Sequence, residues 1–119
     1  MKIGFALIGV GACILAATVA AQDQAPNRPE FTVTAKDFRY SPTRIEITQD
    51  DLVKLTVRSE DVAHSFSIDE YRIVKRIPAG GSTTFEFRAD RPGTFRFYCN
   101  LTSEGGHREM EGQLVVRAK

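Results

Sequence analysis

The 119-residue chain has no tryptophan and only 2 cysteines, 2 methionines and 2 histidines. Two cysteines allow at most one internal disulfide, which excludes the disulfide frameworks that hold small secreted domains together. Two histidines are too few for an enzyme built around two separate metal centres. An excess of either charge is also missing: 16 Lys+Arg face 15 Asp+Glu, a net charge of +1. Nucleic-acid binders carry a basic face, and this balance gives no case for one. No internal repeat and no low-complexity tract interrupts the chain. What is present is ordinary: 42% hydrophobic and 26% charged residues, the composition and length of one globular domain.

The N-terminus reads as a targeting segment. Lys2 is followed by an uncharged, Ala- and Gly-rich run from Ile3 to Ala21 that ends in small residues, Thr18-Val19-Ala20-Ala21. A short basic start, an apolar stretch and a small-residue end describe a secretory signal peptide over residues 1–21. The competing reading is an uncleaved anchor, since the run approaches the ~20 residues that a spanning helix needs. Its weak hydrophobicity favours cleavage. A periplasmic location, with no stable membrane insertion after cleavage, is therefore expected. Residues 22–29 are polar, contain Pro26 and Pro29, and read as a flexible linker. The folded domain is expected over residues 30–119.

Excluding residues 1–21 changes the weight of the scarce residues. Cys13 and Met1 go, leaving Cys99, Met110, His64 and His107. A single cysteine cannot form an internal disulfide. Cys99 is then a buried thiol, an intermolecular bridge or a ligand.

From Phe31 onward apolar residues recur with period 2, as half-buried strands require. Phe31, Val33 and Ala35 alternate with threonines, and Val53, Leu55 and Val57 alternate with Lys54, Thr56 and Arg58. Val62, His64, Phe66 and Ile68 share the parity of one face. Ile45 and Ile47, Phe85 and Phe87, Phe95 and Phe97, and Leu114 and Val116 supply the remaining pairs. Turn signals at Ser41-Pro42, Gln49-Asp50-Asp51, Pro78–Gly81 and Arg91-Pro92-Gly93 separate them. No stretch has the period of an amphipathic helix. Seven or eight short strands so spaced predict an all-β Greek-key β-sandwich.

Three of the four scarce residues fall in one segment, Cys99-Asn100-Leu101-Thr102-Ser103-Glu104-Gly105-Gly106-His107-Arg108-Glu109-Met110. Cys99 has the parity of Phe95 and Phe97, and His64 that of Phe66 and Ile68, so both face inward. Two oppositely directed strands would place His64 and Cys99 at one edge, and the Gly-rich loop would return His107 and Met110 over it. Taken singly, each has an ordinary explanation: a hydrogen-bonded core histidine, a small buried hydrophobe, a core filler, a turn. As a set they are two imidazoles, a thiolate and a thioether, the donors of a mononuclear copper site with a weak axial methionine. Soft sulfur holds Cu(I) while imidazole accepts Cu(II) as well. Zinc also accepts such donors.

Here the sequence resembles the cupredoxin family, and within it the copper-binding domain of cytochrome c oxidase subunit II. The resemblance runs from about Phe31 to Val116 and is carried by Asp61–Ile68, Tyr71-Arg72-Ile73, Arg91–Phe95 and the Cys99–Met110 loop, with Phe38–Pro42 like an early cupredoxin strand and turn. It implies a cupredoxin-like fold with His64, Cys99, His107 and Met110 as metal ligands. That subunit's loop reads Cys-x-Glu-x-Cys-Gly-x-x-His-x-x-Met and holds a binuclear centre. Here Leu101 stands for the Glu, which contributes only a backbone carbonyl, and Ser103 stands for the second Cys. Serine does not ionise near neutral pH, so one copper per chain is implied. Ser103, Glu104 and Glu109 are candidate oxygen ligands, and Ser65 is a candidate for orienting the site.

The function expected from this reading is one-electron transfer, with His107 as the exposed edge through which the electron leaves. Partners would be soluble or membrane-bound redox proteins that dock weakly. The alternative is copper delivery or storage with the same ligands. A copper nitrite reductase or multicopper oxidase needs more histidines than the chain has, so no enzyme activity is expected.

Overall fold

The computed structural model describes residues 25–119. The segment read as a signal peptide, and residues 22–24 of the linker, lie outside the described residues. Among the described residues there are nine strands and no α-helix: β1 (Glu30–Lys36), β2 (Arg39–Ser41), β3 (Arg44–Thr48), β4 (Leu52–Ser59), β5 (His64–Ile68), β6 (Ile73–Ile77), β7 (Ser82–Arg88), β8 (Gly93–Tyr98) and β9 (Glu111–Arg117). Single 3₁₀ turns at Asp69–Tyr71 and Gly105–Glu109 join β5 to β6 and precede β9.

Two sheets form, one ordered β2-β1-β4-β7 and the other β3-β9-β8-β5-β6. The period-2 pattern decides what each contributes. In β4, Val53, Leu55 and Val57 are 0–1% exposed while Lys54 and Arg58 point to solvent. The chain passes repeatedly between the sheets, so β1 pairs parallel with β4 and β3 parallel with β9, while the other pairings are antiparallel. Between the sheets lies one apolar cluster that includes Val33, Leu55 and Val57 from the first and Ile45, Phe66, Phe97 and Leu114 from the second. Phe66 and Phe97 stack at 4.8 Å, and Tyr40 meets both rings edge-on. Each large side chain buried in this way contributes about 1.5–3 kcal/mol.

The all-β sandwich agrees with the sequence, but the strand count is nine rather than seven or eight. β2 is three residues long and too short to show a period. β6 inverts the pattern: Ile73 and Ile77 are buried, yet the position between them on that face is Lys75, and Val74 is 64% exposed. The Lys75 ammonium lies 5.3 Å from the centre of the Phe85 ring, so a charged residue takes an inward position with its head on an aromatic face. The run starting at Val62 also needs correcting. Val62 is exposed and precedes the strand, and all five residues of β5 are buried, serines included.

Candidate metal centre

β5 begins at His64 and β8 ends at Tyr98, and the two run antiparallel with Ser67 opposite Tyr98. This register places Cys99 beside the start of β5, where the Ser65 N–H donates to its Sγ at 3.3 Å. The loop after Cys99 is closed by its own backbone. The Met110 N–H donates to the His107 carbonyl at 3.1 Å, and the Cys99 N–H to the Met110 carbonyl at 3.4 Å. The ligand atoms of His64, Cys99 and His107 therefore lie within 4.8 Å of one another, and all three residues are buried. Met110 is buried as well and is tied through its backbone to both Cys99 and His107.

The two imidazoles are oriented alike. His64 Nε2 lies 2.8 Å from Asp61 Oδ1, and His107 Nε2 lies 2.6 Å from Glu104 Oε1. A carboxylate accepts, so each Nε2 donates and each Nδ1 keeps its lone pair. His107 Nδ1 sits 3.4 Å from Cys99 Sγ. His64 Nδ1 is buried with no hydrogen-bond partner. An orphaned buried acceptor costs about 1–3 kcal/mol. Two inward lone pairs beside a thiol, one without any protein partner, fit a metal ion. The softness of sulfur with imidazole fits copper.

Neighbouring groups hold these carboxylates ionised. Asp61 is kept below the usual carboxylate range by the Asp37 N–H, which donates to its second oxygen at 2.8 Å, and then by His64. Glu104 is lowered by the Ser103 hydroxyl and by His107. On the sulfur side, the Ser65 hydroxyl accepts the Asn100 N–H at 2.8 Å and donates to Asn100 Oδ1 at 2.6 Å, which ties β5 to the loop. Ser65 thus occupies the orienting position that its place in the sequence suggested.

Two residues at this end were not apparent from the sequence. The Tyr40 hydroxyl donates to the Ser65 carbonyl at 2.6 Å, and burial, with Cys99 nearby, pushes its pKa far up. Phe38 packs edge-on against both imidazoles, with ring centres 5.0 Å from His107 and 6.0 Å from His64. It does so from a left-handed turn, with φ at 52° for Asp37 and 57° for Phe38. A bulky residue there is a conformational outlier. Nothing in Asp37-Phe38 signals such a turn, because neither residue is glycine. A visible trace does survive at Gly106, where any Cβ would overlap the Phe38 ring, while Gly105 faces open space.

The expectation that His107 offers an exposed edge is overturned. Its side chain is 0% exposed, because Glu104 caps the outer nitrogen and Phe38 covers the ring. Glu104 engages Nε2, across the ring from the nitrogen that faces sulfur, so here it holds the imidazole rather than joining the donor cluster. Ser103 is exposed and donates to Glu104 Oε1 at 2.7 Å. Glu109 is exposed as well.

Fold and donor set together define a cupredoxin. A family model described as a cupredoxin-like domain matches residues 9–116, and the chain belongs to that family. It is similar to cytochrome c oxidase subunit 2 of Thermus thermophilus, 33% identical over 92 residues, which covers 77% of this chain and 68% of that protein. A match of the same length covers 55% of the corresponding subunit from another strain of that organism, so the chain spans about half of that longer relative. Among solved structures, the periplasmic domain of subunit II of cytochrome oxidase from Bradyrhizobium japonicum superimposes with a TM-score of 0.66 at 15% identity, over 76% of this chain and 84% of that one. Auracyanin A, a blue copper protein from Chloroflexus aurantiacus, gives 0.63 at 13% identity, over 75% and 99%. At such identities the two structures speak to the fold alone.

Proposed function

We propose that this chain is an exported one-electron carrier with a single copper held by His64, Cys99, His107 and Met110. The observation that carries the reading is the orphaned, fully buried His64 Nδ1 inside a cluster that also holds Cys99 Sγ and His107 Nδ1. Copper bound there supplies a one-electron Cu(I)/Cu(II) couple. The protein supplies rigidity. Asp61 and Glu104 fix both rings, the Ser65 N–H restrains the sulfur, and Phe38 keeps water from the imidazoles. Donors held this firmly cannot rearrange much between two oxidation states, which favours fast electron exchange.

Copper delivery or storage is the second reading. It is less well supported, since a site that hands on its metal must open, and here both imidazoles are fully covered. Export to the periplasm rests on the Lys2–Ala21 pattern and on the periplasmic location of the Bradyrhizobium domain. No helix among the described residues is long and apolar enough to cross a membrane. Redox partners would dock briefly over small interfaces, and no catalytic turnover is proposed, because no histidine remains for a second copper centre. The test is repeated oxidation and reduction of the copper-loaded protein with a Cu(I) chelator present. An electron carrier retains its copper through the cycles; loss to the chelator within the first cycles would favour the delivery reading.

A further inference from the structure

We propose that Glu104 is a positioning residue, oriented by Ser103, that holds His107 with Nδ1 toward the metal and supplies the negative charge this loop lacks for want of a second thiolate. The inference rests on the copper reading above for its consequence, though not for its geometry. The chain of contacts is short. The Ser103 hydroxyl donates to Glu104 Oε1 at 2.7 Å, and the same oxygen accepts from His107 Nε2 at 2.6 Å. On the other side of the ring, Nδ1 is 3.4 Å from Cys99 Sγ. The imidazole is 0% exposed while the Glu104 side chain is 47% exposed, so the carboxylate stays hydrated while it grips a buried ring.

Position 103 is where the resembling loop has its second cysteine. The hydroxyl there is turned to Glu104 and not to the donor cluster. The charge is thus delivered to the outer nitrogen of a ligand instead of to the metal. A carboxylate on that nitrogen fixes the tautomer and strengthens the inner nitrogen as a donor, favouring the more highly charged Cu(II) over Cu(I). His64 has a comparable carboxylate, but Asp61 is also anchored by the Asp37 backbone. Glu104 has only Ser103 to aim it. Both residues are exposed, so replacing either leaves the core intact.

The test compares the parent with Glu104→Gln, Glu104→Ala and Ser103→Ala in the full chain, by imidazole NMR of the metal-free protein and by copper affinity and reduction potential of the loaded protein. The parent is expected to show a slowly exchanging, strongly downfield His107 Nε2–H that disappears in Glu104→Ala, with the His64 signals unchanged. Copper affinity should fall about 10–100-fold in Glu104→Ala. The potential should rise in both Glu104 variants, and Ser103→Ala should move the same way by less. A parent with its proton on Nδ1, or a Glu104→Ala protein with unchanged affinity and potential, would overturn the proposal. A parent that binds no copper would instead overturn the copper reading, while the Nε2–H signal would still decide whether Glu104 positions His107.

Discussion

The two ends of the sandwich use the same kind of pairing to different effect. At the end where β4 starts and β7 and β9 finish, Asp50 meets Arg88 and Lys119, each at 3.1 Å, and both cations are more than 60% exposed. At the other end, Asp61 and Glu104 meet His64 and His107 at 2.8 and 2.6 Å, and both rings are fully buried. Water and salt screen the first set, so those pairs do little for stability. The second set decides which ring nitrogen faces inward. A carboxylate matters here less for its charge alone than for what its partner's other end can reach.

The largest effect that tests this contrast is expected from Ser103→Cys. If position 103 lies where a second thiolate belongs, the variant should bind two coppers per chain and give a mixed-valence purple spectrum. One copper with the parent's spectrum would show that the loop does not follow the subunit II pattern. The smallest is expected from Asp50→Asn, which should leave metal binding untouched and lower stability slightly, less so in high salt. Its pH dependence has a definite sign. Lys119 and then Arg88 hold the Asp50 carboxyl below its ordinary value, so between the folded and unfolded values the unfolded chain binds more protons. The contribution is present above the usual carboxylate range and is lost as pH falls through the depressed value. Denaturation of parent and Asp50→Asn should therefore converge at low pH; a gap that widens there would refute the assignment.

Strand parity made much of this legible. It turned Cys99 and His64 inward, and the opposed directions of β5 and β8 brought them to one edge. The missed features share a cause. Lys75 hid β6 because a long side chain satisfies an apolar face and a charge at once. Phe38 was invisible because a left-handed turn made of Asp and Phe leaves no compositional mark. His107 looked exposed because a Gly-rich loop reads as surface. The residue three positions earlier folds back across the 3₁₀ turn to cap it, and no periodicity reports that contact. Sequence pattern locates donors, whereas the groups that orient and cover them emerge only from the folded chain.

The central claim is that His64, Cys99 and His107, with Met110 beside them, hold one redox-active copper. Copper content of the metal-loaded protein, measured together with its absorption spectrum, tests it most directly. The account predicts one copper per chain and a visible thiolate-to-Cu(II) charge-transfer band that vanishes in Cys99→Ala. No bound copper, or bound copper whose spectrum survives the loss of Cys99, would contradict it.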